Sequence, residues 1–411
     1  MDFNLNDEQK QIKVLVKDFC EREIDEKQIN DVFDKVYMAK TCDEVRAVFP
    51  RYLLEKLHEL GLRQLGVPQE YGGMAPISDG NLTRAIAAEE MGYRAGSAAV
   101  LLATPYMVCS SATCSSLVSG EQKEEFYTVY MNNPGIWLGG TVSDPLGGTD
   151  PHLPYDEAGI GLKSAYAYKD GNEWVINGDK MFCSGGAVAD LLVTAVRTEK
   201  DGPVTQSTTA FLIPTNLPGV SQTLNRFTGV EICGNAQTYF DNVRLPEHAI
   251  IGQVNKGYYC MIEGAMVYKW MMLVPFLGEI QRVYDDVVDY AKQRVQGGKP
   301  IIQHSSVAAM LGEAAANIEA LRAFTYRTAW ETDQWEKAGG SPNVFWSMGY
   351  LYLFKKIGLR MSEIANEIYG GVGKSLDMPL DKFARRIFTW QAAGTTTGIN
   401  AIKCSHSYNR L

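Results

Sequence analysis

The chain has 411 residues, 45% of them hydrophobic and 21% charged, with a formal net charge of −9. This length and balance exclude intrinsic disorder and predict two or three domains around a sizeable buried core. With 39 basic against 48 acidic residues and no Lys/Arg-rich run, a nucleic-acid backbone is not an expected partner, and any anionic ligand must be met by a few placed cations.

The opening "MDFNLNDEQKQIKVLVKDFC" carries acidic residues where a signal peptide needs a positive region, and no apolar stretch follows. No apolar run approaches the ~20 residues of a membrane span, and "WMMLVPFLGEIQRV" reads as a buried helix. The eight cysteines lack CxxC spacing and the five histidines form no HExxH. Neither a disulfide framework nor a metal site is expected, and the cysteine usage points to a cytoplasmic setting.

Three regions follow in chain order. Residues 1–137 read as an N-terminal helical domain, opened by Asn6 as N-cap with Ile12, Val14, Leu15, Val16 and Phe19 at near-helical spacing. Residues 138–252 read as a middle β domain of short Val-, Thr-, Phe- and Tyr-rich runs, predicted to form an antiparallel barrel or sandwich. The Asn177-Gly178 pair predicts a hairpin turn. Residues 253–411 return to long amphipathic helices and predict a C-terminal four-helix bundle. The fold class is therefore mostly α with a central β domain.

Five stretches carry more specific information: "VPQEYGG" (67–73), "GGTVSDPLGGTD" (139–150), "WVINGDKMFCSGG" (174–186), "YAKQRVQGGKPI" (290–301) and "EIYGGVGKSLDMPLDKFAR" (367–385). In this order and spacing the chain resembles the acyl-CoA dehydrogenase family over almost its whole length. The resemblance implies an FAD-dependent homotetramer that oxidises acyl-CoA thioesters and passes electrons to an electron-transfer flavoprotein. It places Val142, Ser143, Phe182 and Ser184 beside the flavin, where a hydroxyl or N–H can stabilise the charge of the reduced ring. It places Arg294 on the FAD pyrophosphate of a neighbouring subunit, a task suited to a planar bidentate donor. Gly370 and Gly371 match a close approach of backbone to cofactor. Thr395 and Thr396 complete the implied cofactor positions, and Arg94, Thr149 and Lys269 the implied substrate positions.

The sequence also departs from the family. Gly297-Gly298 and His304-Ser305 stand where Phe-Gly and Phe-Gln are usual, and Met266 replaces an aspartate that contacts CoA. The usual catalytic Glu precedes a Gly-Thr, but "TWQAAGTTTGIN" (389–400) offers only Gly394 or Ala393. The α-C–H of a thioester is a weak acid, so a general base is normally required. The alternative family position falls on Tyr268, followed by Lys269, and an unperturbed tyrosine is a poor base at neutral pH. Tyr268, Glu90, Tyr93 and Asp144 are the candidate bases.

"EEMGYRAGSAAVLL" (89–102) resembles the glutaryl-CoA dehydrogenase branch, in which the residue matching Arg94 binds a distal carboxylate. The small residues Ala95, Gly96 and Ala98 beside it leave space for a bulky or cyclic acyl group. The expected function is α,β-dehydrogenation of such a CoA thioester, with or without decarboxylation. The alternatives are a non-redox decarboxylase or desulfinase, an enoyl-CoA reductase, a flavin monooxygenase and an inactive scaffold, all on the same fold.

Overall fold

The computed structural model describes residues 4–76, 79–148, 150–152, 157, 161–229, 231–339, 343–376 and 378–408. The first third is helical: α1 (Asp7–Glu23), α2 (Glu26–Met38), α3 (Cys42–Val48), α4 (Arg51–Glu59), α5 (Gly80–Ala95), α6 (Val100–Thr113) and α7 (Gly120–Met131). Asn6 caps α1 as expected. Its side chain accepts from the Gln9 N–H at 2.8 Å, and the Gln9 side chain accepts from the Asn6 N–H at 3.1 Å.

The middle strands are β1 (Leu138–Thr141), β2 (Tyr166–Asp170), β3 (Glu173–Ser184), β4 (Leu191–Arg197), β5 (Thr208–Pro214), β6 (Val220–Leu224), β7 (Asn235–Pro246) and β8 (Ile250–Ile251). They form one sheet in the order β6-β7-β3-β1-β4-β5-β8, with β2 pairing to both β3 and β4. Two pairings, β1 with β4 and β2 with β4, are parallel, so the sheet is mixed rather than purely antiparallel. Short β1 and β2 share the slot between β3 and β4, and the chain leaves the sheet between them.

Asn177-Gly178 is not a hairpin turn. Both residues lie inside β3, and Gly178 has a φ of 105° at a shift of register against β7. A Cβ there would sit 1.9 Å from the Ser164 carbonyl oxygen, so this glycine serves a bulge and a close backbone approach.

The last third comprises the short α8 (Glu263–Tyr268), α9 (Val274–Gln293), the strand pair β9 (Val295–Gln296) and β10 (Lys299–Pro300), then α10 (Ser305–Ala338), α11 (Phe345–Tyr369), α12 (Pro379–Trp390) and α13 (Thr397–Tyr408). Gly297 and Gly298, with φ of 61° and 80°, form the two-residue turn between β9 and β10. That turn type needs positive φ at both positions, which explains the departure from Phe-Gly.

Helix α11 packs on α9, α10, α12 and α13, while α5 from the N-terminal third packs along both α9 and α10. The α5–α9 approach is close enough to exclude side chains. A Cβ on Gly92 would lie 1.9 Å from the Pro275 oxygen, and one on Gly278 1.9 Å from the Glu89 oxygen. Two helical stretches, Gly80–Thr113 and Tyr258–Gln293, are apolar and long enough to meet a membrane-span criterion, contrary to the expectation from the sequence. Of the qualifying window in each, 89% is buried within the protein, so their apolar character belongs to the core.

Gly278→Ala is expected to destabilise the fold by about 3 kcal/mol through backbone overlap, whereas Gly312→Ala, facing open space on α10, is expected to stabilise by about 0.5–1 kcal/mol. Urea midpoints of the two variants check the contrast.

Candidate active site

The slot between β3 and β4 brings two of the sequence motifs together. Gly140 of β1 stands opposite Ser184 of β3, and the Met181 N–H donates to the Ser143 carbonyl at 3.2 Å. Val142, Ser143 and Ser184 are all partly exposed on this edge. A second register shift of β3, between Lys180 and Cys183, falls on Phe182, which has a φ of 59°. The bulge turns the Phe182 ring outwards, 49% exposed, against Phe227 with ring centroids 5.8 Å apart.

Asp144 fixes the loop that follows. Its carboxylate, wholly buried, accepts from the backbone N–H groups of Leu146, Gly147, Lys163 and Ser164 and from the Ser164 hydroxyl. Burial raises its pKa, but Lys180, 3.8 Å away, and the bonds from Ser164 and Lys163 outweigh that and leave it below the ordinary carboxylate value. Asp144 therefore shapes the turn and is not a base. Thr149 lies outside the described residues.

On the C-terminal side, Gly370 ends α11 with φ 59° and ψ −135°, a conformation reserved for glycine. A Cβ on Gly370 or on Gly371 would meet nothing within 4 Å, so the space above this turn is open. Arg294 follows α9, exposed, and its guanidinium has no hydrogen bond or ion pair among the described residues. Thr396 precedes α13, and its hydroxyl and carbonyl accept from the N–H groups of Ile399 and Asn400 at 3.4 and 3.1 Å. Thr395 is buried, its hydroxyl bonded to the Asn400 side chain.

The place of the missing glutamate is occupied in a different way. Gly394 has a φ of 73°, and a Cβ there would meet Lys269 Cδ at 3.2 Å and Cγ at 3.6 Å. Lys269 Nζ donates to the Gly394 carbonyl at 2.5 Å. From α11, the fully buried Lys355 donates to the carbonyls of Ala393, at 3.1 Å, and Thr395. Two ammonium groups thus converge on one loop. Burial, and secondarily the Lys355 charge, pushes Lys269 down to about 7, and burial pushes Lys355 down to about 8. His152 is buried nearby, its Nδ1 without a hydrogen-bond partner, and burial together with Lys269 and Lys403 holds it well below the usual imidazole range.

Tyr268 is not the base that the sequence position suggests. Its hydroxyl is turned to Glu336 on α10, and burial, reinforced by the Glu336 charge, raises its pKa well above the ordinary phenol value. The cause is helix geometry. A π-helical turn at Tyr258–Ile262 and a 3₁₀ turn at Lys269–Leu273 flank α8, and the side chain that meets the loop is Lys269. Tyr93 donates to Asp285 at 2.9 Å, and burial, with Asp285, raises its pKa. Glu90 is buried and bound by Arg94, 2.9 Å, with Lys13 at 3.6 Å. Arg94 is shared between Glu90 and Glu21, the latter at 3.7 Å, and lies over the Tyr93 ring. The guanidinium offered by the sequence as an anion anchor already has two carboxylates.

The family's three domains account for nearly the whole chain: the acyl-CoA dehydrogenase N-terminal domain matches residues 6–132, the middle domain 142–243 and the C-terminal domain 255–408. The chain belongs to the acyl-CoA dehydrogenase family. It is 25% identical over 377 residues to the 3-(aryl)acrylate reductase of Clostridium sporogenes, covering 92% of each chain. It is 26% identical over 352 residues to the cyclohexane-1-carbonyl-CoA dehydrogenase of Syntrophus aciditrophicus, covering 85% of each. Its fold matches that of the glutaryl-CoA dehydrogenase–glutaryl-CoA complex with a TM-score of 0.81 at 21% identity, over 100% of this chain and 97% of the other.

Family members are flavin-dependent oxidoreductases acting on the CH–CH bond of acyl-CoA, and FAD is their cofactor. The residues present fit that group. The outward Phe182, the partly exposed Ser143 and Ser184, the open glycine turn and the exposed Arg294 would hold its ring and phosphates.

Tyr268→Phe is expected to leave FAD content and exchange of substrate α-protons with D2O unchanged, read by mass spectrometry. Arg94→Gln is expected to cost about 1.5–3 kcal/mol of stability by leaving buried Glu90 short of a charged partner, and to affect mono- and dicarboxylic acyl-CoA substrates equally in steady-state assays.

Proposed function

We propose that the chain catalyses α,β-dehydrogenation of a CoA thioester whose acyl group is bulky or cyclic rather than anionic at its far end, with cationic groups in place of the usual carboxylate. The observation that carries this reading is the Gly394 loop. The residue at the glutamate position has no side chain, and the space beside it is filled by Lys269. FAD, when bound, supplies a two-electron acceptor for the hydride leaving Cβ. The chain's own residues bind the thioester, exclude water and move the α-proton.

The occupied Arg94 argues against a distal carboxylate. In the cleft beside it, about 90 Å³, the cations Arg94, Arg282 and Arg386 are matched by the carboxylates Glu26, Glu279 and Asp286, which leaves no surplus of positive charge for a distal anion. The similarity to a cyclohexane-1-carbonyl-CoA dehydrogenase supports the cyclic alternative. The exposed Arg294, without a side-chain partner among the described residues, suits contact with a neighbouring subunit's cofactor, and within this reading the assembly is a homotetramer, the location cytoplasmic and the acceptor an electron-transfer flavoprotein.

A second reading runs the same chemistry in reverse, as enoyl-CoA reduction. An ammonium at the position of the usual carboxylate favours it, since in its charged form Lys269 is a proton donor, and so does the similarity to a reductase.

Anaerobic absorbance titration separates the two. Saturated cyclic and monocarboxylic acyl-CoA compounds are expected to bleach the flavin at least as well as glutaryl-CoA. Bleaching by glutaryl-CoA alone would restore the distal anion. If no saturated compound bleaches it and enoyl-CoA reoxidises the reduced protein, the reductase direction holds.

A further inference from the structure

We infer that Lys269 is the proton-transfer residue of this site, standing in for the absent glutamate, with Lys355 as the residue that positions and tunes it. The inference rests on the dehydrogenation reading above and deepens it. The geometry is specific. Lys269 lies along the path that a side chain at 394 would take, 3.2 Å from the Cβ position at its Cδ, and its Nζ ends on the backbone of that residue. Lys355 reaches the same loop from the opposite helix and holds the carbonyls on either side, Ala393 and Thr395.

Neither ammonium has a salt bridge to a carboxylate among the described residues. A structural lysine is normally exposed or paired, because an unpaired buried charge is costly. Lys355 is fully buried and Lys269 partly so, both on one loop, with the buried His152 close by, whose Nδ1 has no hydrogen-bond partner among the described residues; this is better explained by chemistry than by stability. The titratable groups around Lys269 are Lys355 on α11, His152 after β1, and Lys403 on α13, itself close to Glu263 at the start of α8. Burial and Lys355 both favour the free amine, leaving Lys269 near 7, where a useful fraction is neutral at physiological pH.

In the forward direction the neutral amine forms an N–H bond as the Cα–H bond breaks. That electron pair becomes the second Cα–Cβ bond as the Cβ hydrogen leaves with its pair, for which FAD, when bound, would supply the two-electron acceptor. In reverse the ammonium returns the proton to Cα. The sign of the pH dependence follows: forward α-proton removal rises with pH through about 7, the value that burial and Lys355 give Lys269.

Three variants test this in FAD-loaded protein, read by α-deuterium incorporation from D2O and independently by ¹³C NMR titration of labelled lysine. Lys269→Met is expected to lose about 10²–10⁴-fold in exchange while retaining bound FAD. Lys269→Ala is expected to recover exchange with added methylamine or ethylamine, which a packing role would not do. Lys355→Met is expected to move both the Lys269 resonance and the rising limb of the exchange profile to higher pH, because a like charge has been removed. Exchange at the parent level in Lys269→Met, or no amine rescue and no alkaline shift, overturns the inference and leaves the dehydrogenation reading standing. A parent protein that neither exchanges α-protons nor is bleached by any saturated acyl-CoA overturns both.

Discussion

Two lysine ammonium groups that have no carboxylate partner among the described residues must give their N–H bonds to something else, and here one loop of backbone accepts them. The carbonyls of Ala393, Gly394 and Thr395 receive Lys355 and Lys269 from two different helices. The same loop carries the positive φ of Gly394 and runs directly into α13. The electrostatic character of the site is cationic where the family's is anionic. A carbonyl carries only a partial charge, so it compensates an ammonium less than a carboxylate would, and both lysines titrate low.

The β region supplies the complementary wall. Because β1 and β2 lie end to end between β3 and β4, the segment leaving β1 emerges beside the bulged end of β3. Asp144, whose carboxylate accepts from five donors, fixes the turn of that segment. Fixed placement there suits hydride transfer, which tolerates little misplacement of reacting atoms.

Much of the architecture was legible in the sequence because it follows from local signals: the Asn6 cap, the switch from helical to alternating patterning, and the return to long helices. The flavin-loop motifs were legible by resemblance, and the fold brings "TVS" and "MFCS" side by side. What the sequence hid was rotational. Nothing in "GYYCMIEGAMVYKWMM" announces a π turn before α8 and a 3₁₀ turn after it, yet these decide that Tyr268 faces Glu336 and Lys269 faces the loop. Counting residues along an ideal helix picks the wrong neighbour. Arg94 failed for a different reason. Its partner Glu90 is one turn away and could have been read as an i,i+4 pair, but the second partner, Glu21, comes from α1 and only the fold supplies it. Asn177-Gly178 likewise has the local chemistry of a turn, overridden by the long pairing of β3 with β7.

The contact between Lys269 and Gly394 also bears on how such a site arises and persists. A glutamate placed back at 394 would meet the lysine stem at 3.2 Å and a backbone at φ 73° that disfavours any side chain. Removing the lysine alone leaves a loop with one carbonyl unpaired and no proton carrier. Neither exchange alone gives a carboxylate in a relaxed loop: the two positions are coupled, and a glutamate fits at 394 only if residue 269 changes with it.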